Sequence, residues 1–181
     1  MKRLFLIISF MIAVTGIAVA QESKAFDLKD FLSNPFQSSE SFPEIFESYA
    51  DMELFFKKTG FKIVKKEEVQ NSYDKEKIDT KMQLHKNNVE LYYYCLSEGG
   101  KCLLDLMTIK LDRKNTLRYG FHKGMKLNEV TAICGNRYYK NEFEKNYELC
   151  YGDSLTPVQV NFSFSNKTHK LNSINFWYGV D

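Results

Sequence analysis

Apolar residues along this chain recur first at helical spacing and then at spacing two, and the chain runs through that change twice. Ile45, Tyr49, Met52 and Phe56 follow one another at intervals of three and four, with Phe46 and Phe55 widening the stripe. That periodicity predicts one face of a helix. Ser41-Phe42-Pro43-Glu44 stands ahead of it as a capping box, in which the serine takes an orphan amide and the glutamate reaches back. Lys57 and Lys58 suit the negative carboxyl end, and Gly60 can take the left-handed stop. Phe61-Lys62-Ile63-Val64 can open a strand, whereas the charged stretch from there to Asp79 follows neither period.

From Thr80 onward the period is two. Met82 and Leu84 alternate with polar residues, Asn87-Asn88 marks a turn, and Val89 to Cys95 reads as a strand. Ser97-Glu98-Gly99-Gly100 turns the chain into a second strand, Cys102 to Leu111. The same order then returns. Met125 to Cys134 is a short helix with Leu127, Val130 and Ile133 apolar and Gly135 as its stop. Asn146 to Tyr151 is a strand; Val158, Val160, Phe162 and Phe164 alternate with polar partners, and Ser165 to Lys170 turns into Leu171 to Tyr178. A helix followed by an antiparallel meander, twice, predicts an α+β protein. The expected units are 41–111 and 112–181, in tandem, with the helices on one sheet face. Residues 21–40 form a polar segment with a short apolar run at Phe26, Leu28, Phe31 and Leu32, room for a helical turn or two and otherwise a linker.

The first 20 residues follow a different logic. Lys2 and Arg3, the apolar stretch Leu4 to Val14, and Ala18-Val19-Ala20 are the three parts of a secretory signal, with cleavage expected after Ala20. The apolar stretch is shorter than the roughly 20 residues of a spanning helix, and Thr15 and Gly16 break it. No cysteine follows that would carry a lipid anchor. The expectation is therefore a periplasmic or secreted protein without a stable membrane anchor.

Removing the signal from the 181 residues leaves 161 and takes away Lys2 and Arg3, so the formal charge of +2 becomes a balance of 23 basic and 23 acidic residues. Such a chain projects no strong field, which argues against nucleic acid as a partner. A hydrophobic fraction of 44% is enough for a core, and 27% charged residues suit a folded domain. Acids dominate from Gln21 to Phe56, where eight face only Lys24 and Lys29; an acidic, solvated helical face accounts for that.

Four cysteines in an exported chain, Cys95, Cys102, Cys134 and Cys150, point to two disulfides with three possible connectivities. If the hairpin is symmetric about its glycine turn, Cys95 lies opposite Cys102, and facing residues of an antiparallel pair fall within disulfide range. Cys134 and Cys150 would then tie a helix end to the next strand. With no Cys-x-x-Cys pair and no paired histidine spacing, a metal site is not expected.

Gly124-Met125-Lys126-Leu127-Asn128-Glu129-Val130, then Ile133-Cys134-Gly135, and the later Leu171 to Ile174, resemble the SmpA/BamE family and the related β-lactamase inhibitor protein fold. The likeness is clearest in the last third of the chain. It implies a helix laid on an antiparallel sheet, an open sheet face used for binding, and a tandem arrangement if both halves are such units. Lys126 stands where those families place a serine or threonine cap, and Asn136 where a proline is frequent. The lipid-bearing cysteine of the outer-membrane assembly lipoproteins is absent.

Chemistry is hard to find. The chain has no Gly-x-Ser-x-Gly elbow, no His-Glu-x-x-His and no phosphate-binding glycine loop. His85, His122 and His169 are scattered and read as surface residues. The expectation is a non-enzyme without a cofactor. Strand parity is more informative. In the first hairpin it assigns Val89, Leu91, Tyr93, Cys95, Cys102, Leu104 and Leu106 to the helix side, and Tyr92, Tyr94, Leu103, Met107 and Ile109 to the reverse. In the second half Val160, Phe162, Ile174, Phe176 and Tyr178 form the core set, leaving Asn161, Ser163, Asn175 and Trp177 on the reverse. Aromatic rings among small polar groups suit a protein-binding surface. Tyr92, Tyr94, Met107 and Trp177 are the expected contact residues for another protein, in an inhibitor or immunity role or as part of an envelope assembly. The competing arrangement has a loop, for example the acidic amino-terminal segment, folded over that face.

Overall fold

The computed structural model describes residues 25–37, 42–97, 100–112, 117–152 and 158–179. The expected export signal, its expected cleavage site and Ser41 of the expected capping box lie outside the described residues.

The helix expected from that box starts later. Pro43 to Phe46 is extended: Tyr93 donates its hydroxyl proton to the Pro43 carbonyl at 2.6 Å, and the Leu104 amide donates to the Glu44 carbonyl at 2.7 Å. Ile45–Phe46 is a two-residue strand, β1. The first long helix, which we number α2, is Tyr49–Thr59; its cap is Ser48, whose hydroxyl accepts from the Asp51 amide at 3.1 Å. Gly60 ends it at φ 80°, as its position implied. Ahead of it in the chain α1, Leu28–Ser33, forms from the apolar run Phe26 to Leu32 and is capped by Asp27.

Four strands follow α2: β2 Lys62–Gln70, β3 Ile78–Lys86, β4 Val89–Cys95 and β5 Cys102–Lys110. Helix α3, Leu127–Cys134, is likewise followed by β6 Tyr139–Glu142, β7 Asn146–Gly152, β8 Gln159–Ser165 and β9 Leu171–Trp177. The strand β6 has no counterpart in the sequence reading, because its four residues are all exposed and carry no alternation. All pairings are antiparallel and all strands belong to one sheet, in the order β2-β3-β4-β5-β9-β8-β7-β6, with β1 on the first residues of β5. The last strand of each meander, β5 and β9, joins the two halves, centred on Thr108 opposite Asn175. The protein is α+β. No helix among the described residues is long and apolar enough to cross a membrane.

The helices lie on one face. Met52 and Phe56 of α2 are buried, and the Phe56 ring lies 5.5 Å from that of Tyr93. Tyr151 donates to the Gly135 carbonyl at the end of α3. Between them sits α1, whose Phe31 is fully buried at 5.2 Å from both Phe121 and Phe176 and stacked on Phe162. Arg118 holds it there by donating to the Asp30 carboxylate and to the Asn34 carbonyl, and Tyr119 donates to the same carboxylate at 3.1 Å. The described part of the amino-terminal segment is thus core on the helix side; it does not cover the other face.

Two expectations are corrected here. The pairing of β4 with β5 passes from Tyr92↔Leu106 to Tyr93↔Leu104, leaving Asp105 as the extra residue of a bulge. Beyond it the parity inverts: Met107 and Ile109 are buried at 1% and 0% on the helix side, opposite Leu91 and Val89, while Leu106 turns to the reverse. Cys95 and Cys102 are bonded, with alpha carbons 4.0 Å apart, but Cys134 and Cys150 are free thiols. Cys150 faces Asn161 and Tyr139 on the helix-free face, whereas Cys134 ends a helix packed on the opposite one, so the sheet stands between them.

Candidate protein-binding face

The face without helices is built from rows of residues that oppose one another across strands. One row runs Gln83, Tyr92, Leu106, Trp177, Gln159, from β3 through β4, β5 and β9 to β8. Trp177 is 37% exposed, and Tyr92 and Leu106 are half-buried. The next row toward the disulfide pairs Lys81, Tyr94 and Leu103. Of the expected contact residues, Tyr92, Tyr94 and Trp177 therefore share this face, and Leu106 takes the place assigned to Met107. Tyr139, 67% exposed on the β6 edge opposite Cys150, belongs to the face too and was hidden by the unassigned strand.

Both tyrosines are fixed by carboxylates. Tyr92 donates to Glu90 at 3.1 Å and accepts from Gln83 Nε2 at 2.9 Å. Lys110 Nζ, 2.5 Å from Glu90 Oε1, holds that carboxyl below the usual range. Tyr94 donates to Asp79 Oδ2 at 2.5 Å, with Lys81 Nζ over its ring at 5.7 Å. Burial and the Asp79 charge push the Tyr94 phenol up to about 12. Asp79 itself is buried; burial alone would raise its pKa, but donors from Tyr94, the Ser97 amide and Asn71 outweigh this and lower it. Rings anchored at their hydroxyl ends are pre-organised, which lowers the entropic cost of contact.

The second half of the face is polar. Thr108 donates to Asn175 Oδ1 at 3.0 Å, Asn175 Nδ2 donates to Glu148 Oε1 at 3.2 Å, and Asn161 Nδ2 donates to Glu148 Oε2 at 3.1 Å. This chain spans β5, β9, β8 and β7. Asn146 donates to Ser163 at 2.8 Å beside it. Asn161 and Ser163 are buried at 4% and 6%, recessed among longer neighbours.

Among the described residues no three histidine, cysteine or acidic side chains are grouped so as to hold a metal. His85 opposes Glu90 on β3, His122 is exposed before α3, and His169 lies in the β8–β9 turn at φ 53°. A cavity of about 390 Å³ opens beside the start of α3, lined by Lys126, Leu127, Asn128, Tyr147, Thr168, His169 and Lys170. It is separate from the aromatic row. No family model, curated protein or solved structure matches this chain.

Proposed function

We propose that this is an exported binding protein that takes another protein on its helix-free sheet face, with Tyr92, Leu106 and Trp177 as the central contact row and Tyr94 and Leu103 beside it. The observation that carries the reading is the exposed Trp177 ring in line with Leu106 and Tyr92, on a face that no described element crosses. Trp and Tyr dominate binding energy when they sit centrally in an interface, and adjoining apolar exposure of this kind marks contact surfaces. A helix followed by four strands, met twice, agrees with the inhibitor-like resemblance of the sequence, and blocking a periplasmic or secreted enzyme is the role this reading assigns. The signal-like first 20 residues and the Cys95–Cys102 disulfide both suit an oxidising compartment outside the cytoplasm.

The test is affinity capture from an envelope extract with the wild type and a Tyr92→Ala/Trp177→Ala variant, partners being identified by mass spectrometry. A soluble enzyme retained by the wild type and lost by the folded variant supports the reading. Equal capture by both sinks it, and recovery of outer-membrane proteins alone would favour an assembly role instead.

A further inference from the structure

Glu148 is a carboxylate of the helix-free face that has no cationic partner among the described residues. Glu90 has Lys110 at 2.5 Å. Asp79 is buried under three donors, including a backbone amide. Glu148 instead receives two neutral amides, one on each oxygen, and forms no ion pair among the described residues. A carboxylate can accept from both amides at once, one on each oxygen, and it does so here at the cost of a half-buried charge.

A second observation points the same way. Asn161 is 4% exposed, and its Oδ1 is a buried side-chain oxygen without a hydrogen-bond partner. Buried polar atoms are nearly always paired, so such an atom calls for an explanation. Asn161 is the residue whose amide holds Glu148 Oε2, and its neighbour Asn175 is two residues from Trp177 on the same strand. The cluster thus carries a negative charge, has both carboxylate oxygens fixed in place, and lies in the rows beside the contact row proposed above.

We infer that this cluster receives a lysine or arginine side chain of the partner protein. The cationic head bonds the Glu148 lone pairs left free by Asn161 and Asn175. An arginine fork suits a carboxylate fixed at both oxygens better than the point charge of lysine. This rests on the reading of the face as a protein-binding surface and adds the chemistry of one anchor.

The purified, isotope-labelled protein is titrated with N-acetyl-arginine amide and, in parallel, with the neutral N-acetyl-citrulline amide. NMR follows the side-chain amides of Asn161 and Asn175. The expected result is a saturable shift of both amides, about fivefold tighter for the arginine probe, as a charge-assisted bond predicts. Glu148→Gln should remove the difference between probes while leaving the backbone spectrum in place. Equal response to both probes, no response to arginine, or a preference that survives Glu148→Gln overturns the inference. If Glu148→Gln does not fold, the arginine–citrulline comparison on the wild type decides alone. Retention of the arginine response together with partner capture that ignores Trp177 would sink the binding-face reading and leave the cation site standing. The opposite pair of results would do the reverse.

Discussion

Tyr92 and Trp177 stand on either side of Leu106 in one cross-strand row, although they come from opposite halves of the chain. The relation exists because β5 and β9, the closing strands of the two meanders, pair with each other. It also depends on the bulge at Asp105, without which Leu106 would point into the core and Met107 would stand in its place.

The bulge makes adjacent residues respond oppositely. Met107→Ser should cost about 3 kcal/mol or more, since it opens a cavity and buries a hydroxyl. Leu106→Ser should cost less than about 1 kcal/mol, as surface changes do. Urea denaturation of the two variants checks this; equal losses would refute the register.

Phe31 is fully buried in the core of the second half, against Phe121, Phe162 and Phe176. Phe31→Ala should destabilise the whole protein by about 3–5 kcal/mol. A single cooperative transition shifted to lower denaturant is the expected outcome. Loss of amino-terminal protection alone, with the sheet unaffected, would mean that the segment is an appendage.

The disulfide closes a short hairpin loop. Cys95→Ala/Cys102→Ala should lose about 2.5 kcal/mol by loop-closure entropy, which lowers Tm by about 5–10 °C for a domain of this size. Peptide mapping under non-reducing conditions should find Cys95 joined to Cys102.

The same mapping should find Cys134 and Cys150 unpaired. Burial raises both thiols, Cys150 to about 11 with the Glu148 charge adding to it. At pH 8 only about one Cys150 in a thousand would be thiolate, so alkylation should be slow until denaturant is added. Rapid labelling of the native protein would contradict this burial.

Asp79 gives a signed pH dependence. Its folded-state pKa is lowered, so its stabilisation is present above the ordinary aspartate range and is lost as pH falls through the folded value. Comparing Tm for the wild type and Asp79→Asn from pH 7 to pH 3, the wild type should lead at neutral pH. The lead should shrink below about pH 4. A constant gap would mean that the carboxylate's charge does not matter.

By itself the sequence determined the local periods. Helices, hairpins, the glycine stop after Thr59 and the facing cysteines of the first hairpin follow from spacing, because neighbours along a helix or across a tight turn are fixed by backbone geometry. The α+β class follows from the order of those elements. Only tertiary structure decided where parity breaks and what faces what. A one-residue bulge at Asp105 leaves no mark in a hydrophobic pattern that stays apolar on both sides, yet it exchanges Met107 for Leu106. The exposed strand β6 carries no alternation to read. The capping box at Ser41 competed with pairing of Ile45–Phe46 to β5, and the strand won, so Ser48 became the cap. Cys134 and Cys150 are near in sequence but separated by the sheet's thickness, which spacing cannot report. The joining of β5 to β9, which lines up Tyr92, Leu106 and Trp177, depends on long-range pairing and belongs to the fold alone.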